Sequence, residues 1–177
     1  MPKRFHNADL LLPPATGLKR GLAIIYDALI SIAVLLVATW IYTLIVGQMT
    51  GWEKYEQMAA AGQIKGGPGL TFTLFLVLYL FFGYFWTRVG QTLGMQVWRV
   101  RIQNLDGVSV SWSQALRRYV TAAVVVFLAL LAGYYLGAVS LLFSIPAIVT
   151  LFVPINGLSL TDRMSGSVVV EVEKKKL

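Results

Sequence analysis

The 177-residue chain has no cysteine and one histidine, His6. Disulfides, thiol nucleophiles and thiolate metal sites are therefore excluded. With no HExxH, no GxSxG and no convergent nucleophile and base, no enzyme activity, metal or cofactor is expected. Charge is scarce too: 13% of residues are charged against 57% hydrophobic, with a mean hydropathy of +0.70. Soluble domains carry about twice that share of charge, so the composition describes an integral membrane protein. The net charge of +7 does not point to nucleic acid, because the basic residues are sorted along the chain as membrane topology requires. A signal peptide is also missing: MPKRFHNADLLLPPATG is too polar and Pro-rich, and the run behind it is too long for an h-region. The first hydrophobic segment is expected to stay in the mature protein.

What is present is organised around the run from Leu18 to Val46, which as one helix spans about 44 Å against a hydrocarbon core of roughly 30 Å. Its surplus lies at the N-terminal end, with Lys19, Arg20 and, seven residues on, Asp27. Seven residues turn a helix through about 700°, so Arg20 and Asp27 share a face. A carboxylate facing lipid near the bilayer centre costs on the order of 3 kcal/mol, which turns Asp27 toward protein, water or headgroups. A second span is expected over 70–87. The uncharged stretch from Tyr119 to Pro154 is too long for one crossing and divides into spans over about 115–134 and 138–154 around Gly133 and Gly137, with Pro146 kinking the last.

The connections are polar. Residues 1–17 read as a disordered or surface-lying arm, with Thr16 as a helix cap. WEKYEQMAAA, after span one, reads as a short interfacial helix with Trp52 and Tyr55 at the headgroup level. Between 88 and 118 a small hairpin turns at Asp106-Gly107, and Ser111-Trp112-Ser113-Gln114 fits a capping box opening the third span. The SVVVEVE run from Ser167 is strand-like and is expected to pair with the 97–110 hairpin as a cytoplasmic mini-sheet, followed by the basic tail 173–177. Four spans with both termini inside place 13 of the 15 basic residues on the cytoplasmic side, leaving Lys54 and Lys65 outside; three spans divide them 9 to 6. The positive-inside rule selects four.

Arg20 and Asp27, then GQTLGMQVWRVRIQNLDG, then LTDRMSGSVVV near the end, resemble the RDD family of small bacterial membrane proteins, named for one arginine and two aspartates. The resemblance covers about 18–172. By match Arg20 is the family arginine, Asp27 the first aspartate and Asp162 the second. Met95 stands where lysine is frequent in the family, and Thr161 where histidine often precedes the Asp-Arg pair. The resemblance implies a multi-pass protein of the bacterial cytoplasmic membrane and a transport role, with cation/proton exchange proposed for some members.

The fold expected is an all-α membrane bundle of four spans plus a small cytoplasmic β-hairpin or mini-sheet. Its candidate site is a charge network of Arg20, Asp27, Asp162 and Arg163, with Arg117 and Arg118 as further partners; Arg20 is expected to meet Asp162 or lipid phosphate, and Asp27 an arginine from elsewhere. Two functional readings follow. In one, Asp27 is the protonatable or cation-binding group of a small-cation/proton exchanger, and a homo-oligomer encloses the path because four short spans hold little volume. In the other, the charges fix the fold of a scaffold or assembly protein and the basic inner face binds anionic lipid. Ser31, Thr39 and Thr43 lie near one stripe of span one, as a polar path or as helix-packing residues. The GQTLG block reads as a tight turn or, less specifically, as a backbone anion cradle. Gly133-x-x-x-Gly137 reads as the turn between spans three and four.

Overall fold

A computed structural model of the chain describes residues 5, 12–63 and 67–172. His6, most of the arm and the tail 173–177 lie outside them. The elements run α1 (Gly17–Thr50), α2 (Trp52–Ala60), α3 (Pro68–Arg88), α4 (Leu93–Val97), β1 (Val100–Gln103), α5 (Trp112–Leu136), a 3₁₀ turn (Gly137–Ser140), α6 (Leu141–Val149), α7 (Leu160–Ser165) and β2 (Val168–Glu171). They fall into two compact units, residues 1–27 with 82–177, and residues 28–81.

Among the described residues three helical stretches, Gly17–Thr50, Pro68–Val97 and Trp112–Val149, are long and apolar enough to cross a membrane. Their large side chains, Leu36, Trp40, Phe72, Phe127 and Leu130 among them, are exposed, while the buried set is dominated by Ser, Thr, Arg and Asp. Water would destabilise that distribution. A bilayer stabilises it, because apolar surface is solvated by acyl chains and polar groups must find partners inside.

In the unit of residues 28–81, α1 ends where Trp52 lies across Gly47; a Cβ there would meet the indole at 2.6 Å. The expected interfacial helix is α2, none of whose residues is buried, with Trp52 and Tyr55 edge to face at 5.8 Å. α1 and α3 flank an apolar groove of about 620 Å³ lined by Ala33, Val37, Ile41, Tyr42, Thr73 and Val77. Of the polar stripe, the Thr39 hydroxyl donates to its own helix at the Leu35 carbonyl (2.8 Å), as threonines in spans commonly do. The Ser31 hydroxyl is buried without a partner among the described residues.

In the other unit, α5 begins at the expected capping box: Ser111 Oγ accepts from the Gln114 N–H at 3.3 Å, and Gln114 Oε1 accepts from the Ser111 N–H at 2.9 Å. The stretch expected as span four is not one continuous helix. It opens with the 3₁₀ turn and continues as α6, nine residues or about 13.5 Å long with Pro146 inside. The chain reverses at Gly137, whose φ of 55° suits glycine, and Ser144 Oγ then donates to the Ala129 carbonyl at 3.4 Å, so α6 runs back along α5. A second reversal at Asn156-Gly157, both with positive φ, closes on reciprocal bonds between Ile155 and Leu158.

The mini-sheet has two strands. β1 and β2 pair antiparallel with Arg101 opposite Val170 and Gln103 opposite Val168. Residues 13–15 line the far edge of β2: Ala15 N–H donates to the Val169 carbonyl and Glu171 N–H to the Pro13 carbonyl, both at 2.9 Å. Ala15, Ala23, Met95, Val100, Ile102, Val110 and Val169 form the apolar core here. The second arm of the expected hairpin, 108–110, is not a strand. Asn104 N–H closes on the Val108 carbonyl at 2.8 Å and the chain leads directly into the Ser111 cap. By this register, a chain ending at Gly166 is expected to exchange the amides of Ala15, Arg101 and Gln103 at least about tenfold faster, since each loses its acceptor. Ile102, which donates to the Gly90 carbonyl at 2.7 Å, should keep more of its protection. Equal hydrogen-exchange protection with and without residues 167–177 would contradict the pairing.

Candidate functional site

Among the described residues two carboxylates are buried, Asp27 and Asp162, and they sit in contrasting environments within the unit formed by residues 1–27 and 82–177. Asp162 is 1% exposed and occupies the third position of α7, where a capping box holds it. Ser159 N–H donates to its Oδ2 at 3.0 Å, while Ser159 Oγ accepts from the Asp162 N–H at 3.4 Å. Two arginines converge on the same carboxylate. Arg20, in the first turn of α1, places Nη1 2.5 Å from Oδ2, and Arg118, in the second turn of α5, places Nη1 2.7 Å from Oδ1. Arg20 has a partner for each nitrogen, because Nε donates to the Ala15 carbonyl and Nη2 to the Val169 carbonyl, both at 3.0 Å. Arg118 Nη1 also donates to Ser167 Oγ at 2.9 Å, and its guanidinium lies 6.0 Å from the Trp86 ring.

This cluster fastens α1, α5, α7 and the segment leading into β2 at one point. Burial alone would push the Asp162 carboxyl upward; Arg118, Arg20 and the Ser159 N–H outweigh it and hold the group below the usual carboxylate range. At the rim, Lys19 Nζ lies 2.5 Å from Glu171 Oε2. The Lys19 hydrogen bond holds Glu171 low as well.

Asp27 is 7% exposed and meets no arginine among the described residues. Its Oδ1 accepts the Gly94 backbone N–H at 2.9 Å, and its Oδ2 accepts the Thr92 hydroxyl. Thr92 Oγ1 also caps α4, accepting from the Met95 N–H at 3.3 Å. The GQTLG block does hold an anion, the chain's own Asp27, but through one backbone N–H and one side-chain hydroxyl rather than a backbone cradle. Gly94 is required by space: a Cβ there would stand 2.9 Å from the Asp27 carboxyl carbon and against the Ala23 carbonyl oxygen. Gly94→Ala is therefore expected to destabilise the protein by about 1–3 kcal/mol, read as a lower unfolding midpoint in detergent. An unchanged midpoint would mean that α4 does not press on α1 here.

Of the residues expected in one network, the fold brings together Arg20 and Asp162 and adds Arg118. Asp27 stands apart on α1, two turns and about 10 Å beyond Arg20. Arg163 is exposed and donates to the Ile155 carbonyl at 2.8 Å, and Arg117 is exposed. Thr92 and Gly94 carry no charge, so the charge pattern of the sequence does not mark them as partners for Asp27. Among the described residues no group of three or more His, Asp or Glu comes together as a metal site.

The outward apolar helices and inward charges define a membrane protein in which one carboxylate is clamped by arginines and the other is held by uncharged donors. The chain belongs to the RDD family, whose sequence profile matches residues 14–166. No curated protein and no solved structure matches it. The matched stretch contains Arg20, Asp27, Arg118 and Asp162, and ends just before β2.

Proposed function

We propose that this protein exchanges small cations for protons across the bacterial cytoplasmic membrane, with Asp27 as the group that alternately holds proton and cation. One observation carries the reading: among the described residues Asp27 is buried with neutral partners only, whereas Asp162, the other buried carboxylate there, has two arginines. A carboxylate clamped by guanidiniums has no affinity to spare for a second cation. One held by a hydroxyl and an amide keeps its charge available and must take up a proton or a metal cation when desolvated. Arg20, Arg118 and Asp162 act as the fixed joint of the helix ends, and Arg163 serves the Ile155 turn rather than ion handling.

The topology in this reading is four spans with both termini cytoplasmic. The distribution of basic residues supports it, as does the return of α6 along α5. A homo-oligomer supplies the enclosed volume that one copy lacks, and anionic lipid neutralises the basic cytoplasmic face. No catalytic step is assigned. The competing reading, a membrane scaffold whose charges are structural, draws on the buried Arg20–Asp162–Arg118 cluster. Cation-driven pH change in proteoliposomes, with Asp27→Asn as the paired variant, separates the two.

A further inference from the structure

We infer that the Thr92 hydroxyl is a ligand of the cation held at Asp27 and sets which cation is preferred. The inference rests on the exchange reading above and adds to it a second ligand. It follows from an asymmetry between the two carboxylate oxygens. Oδ1 is covered by the Gly94 N–H at 2.9 Å, a backbone donor that cannot turn and carries no lone pair for a metal. Oδ2 is covered by the Thr92 hydroxyl, which can turn. A hydroxyl has one hydrogen to donate and two lone pairs to offer. One lone pair is fixed on the Met95 N–H at 3.3 Å, which keeps the oxygen in place while its hydrogen rotates. The other then faces whatever replaces that hydrogen at Oδ2.

The cation therefore enters on the Oδ2 side, between a carboxylate oxygen and a hydroxyl oxygen. Both are hard donors suited to alkali cations rather than soft metals. Thr92 is 1% exposed, so its oxygen does not trade places freely with bulk water. A small cation gains more than a large one from a close fixed oxygen, so losing that oxygen penalises lithium more than potassium.

The test measures half-saturating lithium and potassium concentrations for cation-driven pH change, using the full chain in proteoliposomes. Thr92→Val keeps the shape and removes the hydroxyl. It is expected to shift the potassium-to-lithium ratio of these concentrations about tenfold toward potassium, the size of one lost charge-assisted contact. Thr92→Ser, which retains the hydroxyl, is expected to leave the ratio near the wild-type value. Thr92→Val also removes the α4 cap, but a smaller folded fraction scales all fluxes together and leaves the ratio unmoved. If Thr92→Val does not fold, Thr92→Cys, whose sulfur still accepts weakly from the Met95 N–H but is a soft, poor donor for alkali cations, takes its place with the same direction of shift expected. Wild-type flux with an unmoved ratio in the Val or Cys variant overturns the Thr92 assignment and leaves the exchange reading standing. No flux from folded wild-type protein overturns both.

Discussion

Replacing Asp162 with alanine is expected to destabilise the protein by about 3–5 kcal/mol, the cost of leaving a buried charge without its partner. The chain has little reserve against a loss of that size, because whole-domain stabilities run to about 5–15 kcal/mol. Arg20 and Arg118 are 4% and 8% exposed and share this one carboxylate, so its removal leaves two guanidiniums facing each other in a polar pocket with no anion. The α7 capping box goes with it, since Asp162 supplies the side chain that reaches back to the Ser159 N–H. The expected readout is loss of monodisperse protein on size exclusion, or a sharply lowered unfolding midpoint. Arg163→Ala, one residue away but exposed, should stay within about 0.5 kcal/mol of wild type. Wild-type stability in Asp162→Ala would mean that the cluster holds nothing together.

The same carboxylate fixes the sign of the acid response. Its folded-state pKa is depressed by the two arginines, so as pH falls the unfolded chain takes up the proton first. Its contribution to stability is complete above the unfolded carboxylate value of about 4 and is lost as pH falls through the lower folded value. Acid unfolding should therefore be steep below about pH 4 in wild type and shallower in any folded variant lacking Asp162.

Much of this architecture is legible in the sequence. Helix positions followed from apolar runs bounded by Gly, Pro and Arg, and the Ser111 cap from a local pattern whose partners are three residues apart. The tail strand followed from β-branched alternation. What was not legible depends on distant parts of the chain. Asp27 is separated from Thr92 and Gly94 by more than sixty residues, and its partners there are a backbone amide and a hydroxyl. Arg118 was visible as a basic residue at a span boundary, but its assignment to Asp162 rather than Asp27 depends on α7 returning to the start of α5. A signal for that return was present in Asn156-Gly157, a dipeptide suited to the positive-φ turn it forms. The form of the fourth stretch was hidden because an apolar run records burial in lipid, not whether the backbone stays helical throughout. Here α6 runs through Pro146 but ends at Val149, with a 3₁₀ turn before it and turns after it.

Under the proposed exchange, Asp27→Asn is expected to abolish cation-driven proton movement while leaving the protein folded. The isosteric amide can keep both contacts: its oxygen accepts from the Gly94 N–H, and its NH₂ can donate to Thr92 Oγ1 once that hydroxyl turns. The net cost is about 1 kcal/mol, the scale of a rearranged hydrogen bond. What the variant loses is the capacity to carry charge, since an amide does not exchange a proton for a cation in the physiological range. Sodium, lithium and potassium gradients should each drive a pH change through wild-type protein and none through Asp27→Asn, with similar unfolding midpoints for the two. The scaffold reading expects no flux from either protein and so departs from the exchanger already at wild type. If wild type conducts and Asp27→Asn conducts equally, exchange runs elsewhere and the neutral shell around Asp27 is only a helix joint. If wild type conducts and Asp27→Asn folds but does not, the difference between a carboxylate clamped by arginines and one held by a hydroxyl and an amide becomes the division of labour within the protein, one carboxylate for the fold and one for the ion.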